Sequence, residues 1–137
     1  MKLKYKISNS PAPFSKQKLL RPIIPISLNY GYLSLRYEAL IDSGADFCIF
    51  PTGIAQRLKI NLSKLKKIYF AGATGDMIEG KISTVYLDIG LGKFKTQVVF
   101  ADLSGNVAIL GQYGFFTKFS IRFELEKSVI DLKANSK

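Results

Sequence analysis

A carboxylate, a hydroxyl and a glycine stand in a row at Asp42, Ser43 and Gly44. They lie inside the stretch Ala39-Leu40-Ile41-Asp42-Ser43-Gly44-Ala45-Asp46-Phe47-Cys48-Ile49-Phe50-Pro51. An apolar strand runs into the tripeptide and a second one leaves it. That puts a carboxylate on a tight turn between buried strands, where an unpaired charge is costly. A carboxylate held this way points to a functional site, because structural carboxylates usually stay on the surface. Ser43 offers a hydroxyl that can brace the turn, and Gly44 lets the backbone bend and approach a neighbour. The tripeptide alone is weak: Asp-(Ser/Thr)-Gly arises by chance in roughly one chain in fifteen of this length. An ordinary β-turn also uses these residues. The apolar flanks set this one apart, because turn residues normally join half-exposed strands.

The rest of the composition narrows the chemistry. The chain has 137 residues, 20 Lys+Arg against 10 Asp+Glu, and no histidine. A Ser-His-Asp triad, a Cys-His pair and an imidazole zinc site are therefore excluded. Acid–base work falls to carboxylates, Lys or Tyr, and no motif calls for a cofactor or metal. The one cysteine, Cys48, cannot form an intrachain disulfide and reads as a small buried hydrophobe beside the turn. The basic start KLKYK is not followed by an apolar run, and Leu19 to Leu28 is interrupted by Arg21, Pro22, Pro25 and Ser27. Neither reads as a signal peptide or a membrane span, so a cytoplasmic location is expected.

The formal charge of +10 is unevenly spread. Lys2, Lys4, Lys6, Lys16, Lys18, Arg21 and Arg36 all precede the first acid, Glu38. Arg57, Lys59, Lys64, Lys66 and Lys67 form a second cluster. Such clusters can meet nucleic acid or acidic partners. Without an RNP motif, zinc knuckle or arginine-rich stretch, a solvated basic surface is the better reading and nucleic acid is not expected as a partner.

The elements that must position the turn are mostly strands. Residues 1–20 read as a basic, partly mobile leader, with the proline-bearing Ser8 to Lys18 as a loop, and residues 21–137 as one domain. Ile24, Ile26 and Leu28 alternate, and Asn29-Tyr30-Gly31 turns into Tyr32–Leu40. Lys66–Phe70 and Met77–Ile89 flank a glycine-bearing tip. Gly90-Leu91-Gly92 leads into Phe94, Thr96, Val98 and Phe100. Ile121, Phe123 and Leu125 alternate before a closing hairpin at Ser128–Leu132. Two short helices are expected. One begins at Pro51 with Ile54, Ala55 and Leu58 on one face, and the other follows Gly111 with Phe115, Phe116 and Phe119 at helical spacing. The fold class is mainly β, as a small closed barrel or sandwich with one or two short helices.

Two further segments complete a pattern. Tyr69-Phe70-Ala71-Gly72-Ala73-Thr74-Gly75-Asp76-Met77 reads as a hairpin with a small tip that could open and close over a cleft. Val107-Ala108-Ile109-Leu110-Gly111 reads as a buried strand that stops at a glycine. With these three motifs in order, the chain resembles the retropepsin-type aspartic proteases, the single-domain family of retroviral proteases and their cellular and bacterial relatives. ALIDSGADFCIFP resembles the family's active-site loop, AGATGDM its flap, and AILG followed by QYGFFTKF its supporting element. The match spans roughly Ile23 to Leu132. The FFTKFSIRFEL run is more similar to bacterial members than to viral ones.

The resemblance implies a fold, a mechanism and a set of roles. The fold would be the closed acid-protease β-barrel. Asp42 would be the catalytic aspartate, Ser43 would brace it and Gly44 would shape the loop. Ala45 and Asp46 would meet substrate, together with Ala71, Gly72, Ala73, Thr74 and Gly75 of the flap. Leu110 and Gly111 would support the site. An aspartic protease needs two carboxylates that share a proton. Only one Asp-Ser-Gly is present, and Asp76, Asp88, Asp102 and Asp131 lack its context. The expected partner is therefore a second copy of the chain in a symmetric homodimer that cleaves extended peptides. Two other readings stay open: a binding module that kept the fold without turnover, and a basic β-barrel that binds nucleic acid.

Overall fold

The computed structural model describes residues 1–11, 13, 17–72, 74–103, 105 and 107–136. Alternating apolar positions become strands in chain order: β1 (Lys2–Lys4), β2 (Lys6–Asn9), β3 (Lys18–Arg21), β4 (Ile23–Tyr30), β5 (Leu33–Ile41) and β6 (Ile49–Phe50). The helix α1 (Thr52–Arg57) and a single 3-10 turn at Leu62–Lys64 come next. They are followed by β7 (Lys66–Ala71), β8 (Met77–Asp88), β9 (Phe94–Phe100), β10 (Ala108–Leu110), β11 (Phe119–Glu124) and β12 (Val129–Ala134). The fold is mainly β with one short α-helix.

The main sheet has the order β4-β5-β10-β6-β9-β8-β7. An additional β4–β8 pairing at Ser27↔Asp88, Leu28↔Leu87 and Asn29↔Tyr86 partly closes this sheet into a ring. It leaves β7 outside, attached only to β8. The alternation in β4 sends Ile24, Ile26 and Leu28 into the interior, where they meet Leu87, Phe100, Leu110, Ile130 and Leu132. Each such side chain contributes about 1.5–3 kcal/mol by burial. Short β10 is the keystone, running parallel to β5 through Ala108↔Ala39, Ile109↔Leu40 and Leu110↔Ile41, and antiparallel to β6 through Ile109↔Ile49.

Five readings change. The stretch from Ser8 to Lys18 is strand at both ends: Ser8 and Asn9 pair with Leu19 and Lys18 across the β2–β3 hairpin. Earlier still, β1 pairs with β12, because Leu3 and Tyr5 alternate with lysines and lay their apolar bodies against the core. The helix expected after Gly111 is absent; residues 112–118 form turns. Gly114 sits at φ +105, outside the right-handed helical region, and its N–H donates to the Thr117 hydroxyl. Phe115 and Phe119 are spaced for the core instead, packing 5.1 Å apart, with Phe94 5.1 Å from Phe119. Pro51 stands just before α1 at its N-cap position and not at its first helical residue, while Ile54, Ala55 and Leu58 are buried as expected. Finally, the alternation in the last hairpin does not bury its whole apolar set. Phe123 stays 44% exposed on β11, the edge strand of the three-stranded sheet β1-β12-β11, and Leu125 stays 59% exposed in the turn that follows it. Among the described residues no helix is long and apolar enough to cross a membrane.

Candidate active site

Asp42 follows directly on the last residue of β5, at the point where the chain leaves the sheet. Its carboxylate oxygen Oδ1 accepts the Gly44 N–H at 2.9 Å, and the Ala45 N–H closes back on the Asp42 carbonyl at 3.2 Å. A Cβ on Gly44 would stand 3.2 Å from that same Oδ1, so the glycine keeps the carboxylate's surroundings open. Asp42 is half-buried, whereas Ser43 and Gly44 are exposed. The carboxylate is thus less enclosed than its apolar flanks suggest. The reason lies in the following segment, where regular pairing resumes only at Ile49 and Phe50, so the turn projects from the rim of the sheet.

A strap from far along the chain holds this turn. The Asp42 N–H donates to the Leu110 carbonyl at 3.0 Å, the Gln112 N–H to Ala45 at 2.9 Å, and the Tyr113 N–H to Asp46 at 2.8 Å. The Gln112 side-chain amide donates to the Ser43 carbonyl at 2.7 Å. Gly111 passes so close beneath that an added Cβ would lie 2.2 Å from the Phe47 carbonyl oxygen and 2.7 Å from that of Ala45. Only a glycine fits, because the obstacle is backbone. Among the described residues the Ser43 hydroxyl has no partner within its own chain.

Beside the turn lies a cleft of about 470 Å³. Its floor carries Asp42, Gly44, Ala45 and Asp46, and its walls carry Phe47, Ile49, Ile109, Val107, Leu103 and Asp102. The β7–β8 hairpin covers it with Phe70, Ala71, Gly72, Thr74 and Ile78. Among the described residues the hairpin tip is tied only to itself: Gly72 N–H to the Asp76 carbonyl at 2.8 Å, Gly75 N–H to Gly72 at 3.0 Å, and the Thr74 hydroxyl to Asp76 at 3.3 Å. Phe47 and Phe70 meet edge to face at 6.2 Å, joining floor to cover.

Asp42, Gly44, Ala45, Asp46, Ala71, Gly72 and Thr74 thus line one cavity, with Leu110 and Gly111 directly behind the turn. Ser43 and Gly75 are adjacent in sequence to that lining without forming part of it, and Ala73 lies outside the described residues. The apolar walls and Asp102 went unread in the sequence. The alternation of Phe47 with Ile49 and of Val107 with Ile109 was the available signal for the walls. The Gln112 side-chain bond left no local signal. Cys48 lies under the turn, where burial pushes its thiol up to about 11 and a backbone hydrogen bond at Gly111 offsets part of the shift. Among the described residues no three His, Cys, Asp or Glu side chains cluster as a metal site requires.

A carboxylate on a strapped turn, under a hairpin cover, can be set against known proteins. The model of the aspartyl protease family matches residues 24–113, from the first buried residue of β4 through the strap. The chain belongs to the retropepsin-like aspartic protease family. Among solved structures it is similar to the EIAV protease complexed with the inhibitor HBY-793. That match has 26% identity, a TM-score of 0.53, and covers 67% of this chain and 82% of that one. A retropepsin-like aspartic protease from Rickettsia conorii shares the fold over 96% of this chain and 99% of its own, with a TM-score of 0.59 at 18% identity. No curated protein matches. Retropepsin-type proteases hydrolyse peptide bonds through an aspartate dyad, typically in a homodimer.

Proposed function

We propose that this retropepsin-like chain is an aspartic endopeptidase acting as a homodimer, with Asp42 of each protomer facing its twin across a two-fold axis. One observation carries the reading. Asp42 is half-buried at a cleft floor and fixed by a strap from 110–113, and among the described residues its carboxylate accepts one hydrogen bond, from Gly44 N–H. Its outer side is open to a second copy, and one carboxylate per chain makes half of a dyad. The partly closed strand ring supports the acid-protease barrel as the frame for this chemistry.

In the dimer the two carboxylates share one proton, because like charges at close range cannot both ionise. The ionised member takes a proton from a water as that water attacks the scissile carbonyl. The protonated member donates a hydrogen bond to the carbonyl oxygen as charge develops there. Collapse of the tetrahedral adduct breaks the C–N bond, and the proton taken from water passes to the leaving amine. The Ser43 hydroxyl, unpartnered in one chain, is free to bond across the axis. The substrate lies extended along Ala45 and Asp46, with the tip at Gly72 to Asp76 folding over it.

Cleavage of a diverse peptide pool between pH 4 and 7, across a protein dilution series and beside Asp42→Asn, tests this reading. Asp42-dependent cleavage that falls faster than linearly on dilution is expected. Cleavage that survives in Asp42→Asn, or is absent at concentrations where the protein is dimeric, overturns it.

A further inference from the structure

The cleft reverses the charge of the molecule that contains it. The chain carries +10 overall, yet the described residues lining the cleft include Asp42, Asp46 and Asp102 and no Lys or Arg. Outside the cleft, Glu38, Glu79, Glu124 and Asp131 each pair with a cation. Among the described residues no cation lies within ion-pair distance of Asp46 or Asp102. Asp102 is exposed on the wall, and among the described residues its carboxylate accepts a hydrogen bond only from the Thr52 hydroxyl, a neutral donor that leaves its charge in place. Immediately beside it stand Leu103, Val107 and Ile109, which form an apolar wall.

An apolar wall beside an uncompensated carboxylate selects for two properties at once. It buries an aliphatic or aromatic side chain, and it attracts a cation at the rim, where low-dielectric walls focus the field. We infer that Asp102, aided by Asp46, makes the cleft select extended peptides carrying a Lys or Arg within one or two residues of the apolar residue seated on the Leu103–Val107–Ile109 wall. This inference rests on the cleft being the substrate site proposed above. It runs opposite to what the basic surface suggests, since that surface would favour acidic peptides.

Two measurements test it. The first compares cleavage of matched peptides that carry Lys, Ala or Glu beside a fixed apolar residue, in the wild-type chain and in Asp102→Asn, which keeps an acceptor for Thr52. The wild-type protein is expected to prefer Lys over Ala by about tenfold and to disfavour Glu. The Lys-over-Ala ratio should fall several-fold in Asp102→Asn and shrink as salt rises. The second measures binding of the same labelled peptides to the Asp42→Asn protein by fluorescence anisotropy, which needs no turnover. Cleavage with equal or Glu-favouring rates overturns the inference and leaves the protease reading intact. Lys-selective binding without any wild-type cleavage supports the inference and overturns the protease reading. Binding that is indifferent to peptide charge, or a Lys preference unchanged in Asp102→Asn, removes Asp102 from the role.

Discussion

The turn at Asp42 and the tip at Gly72 to Asp76 face each other across one cleft, and both are short glycine-bearing loops. They are held in opposite ways. The turn shares four hydrogen bonds with Leu110, Gln112 and Tyr113, which lie more than sixty residues away in sequence. Among the described residues the tip is bonded only within itself, and it rides on β7, an edge strand paired with β8 alone. A carboxylate that must meet its partner and a water within a fraction of an ångström needs a mount that cannot move. A cover that must admit a peptide needs few bonds to break. The same local chemistry serves both, and tertiary contact makes the difference.

That contrast can be broken at the turn first. Asp42→Asn keeps the acceptor for Gly44 N–H while removing the acid–base function, so turnover should fall by at least about 10³–10⁴-fold with the fold unchanged by circular dichroism. Gly111→Ala forces a Cβ against two backbone carbonyls and should cost about 2–4 kcal/mol, read from the urea midpoint. A cost below about 1 kcal/mol would mean that the strap is not tight.

The buried thiol beneath the turn gives a pH test. Folding raises the Cys48 value from its ordinary value near 9 to about 11, so its neutral form is favoured in the native state. Its contribution is fully present below about pH 9 and is lost as pH rises through about 11, on the order of 2 kcal/mol. The difference in alkaline stability slope between the wild-type chain and Cys48→Ala isolates it.

Smaller effects sharpen the comparison. Gln112→Ala removes the bond to the Ser43 carbonyl and should cost about 1 kcal/mol, lowering kcat several-fold with KM little changed. Gly72→Ala on the tip meets the movable end of Ile78 at 2.8 Å, with the Asp76 carbonyl oxygen at an ordinary contact distance of 3.5 Å. Its stability should shift by less than about 0.5 kcal/mol, and its effect should appear in kcat/KM. If Gly72→Ala destabilised the protein as much as Gly111→Ala, the tip would be as firmly mounted as the turn.

Much of this was legible in the residues themselves. The alternation of Ile24, Ile26 and Leu28, the glycine tip after Phe70, and Asp42 between apolar flanks are local patterns, and each marks an element and its buried face. The absence of histidine removed whole reaction classes. Other features misled, and for one reason. Phe115, Phe116 and Phe119 carry helical spacing, but their spacing serves a cluster with Phe94 that lies twenty residues upstream. Leu3 and Tyr5, read as part of a leader, find their places only once β12 lies beside them.

What the sequence determined by itself was the strands from β4 onward, the turn bearing a single catalytic-type carboxylate, and the family that arrangement belongs to. Tertiary structure alone decided that β10 is wedged between β5 and β6, that Gln112 reaches Ser43, and that Asp46 and Asp102 line one apolar cleft in a basic protein. Periodicity records which side of an element avoids water, and it does so within a few residues. It does not record which distant element covers that side, because such contacts depend on how the chain folds back on itself.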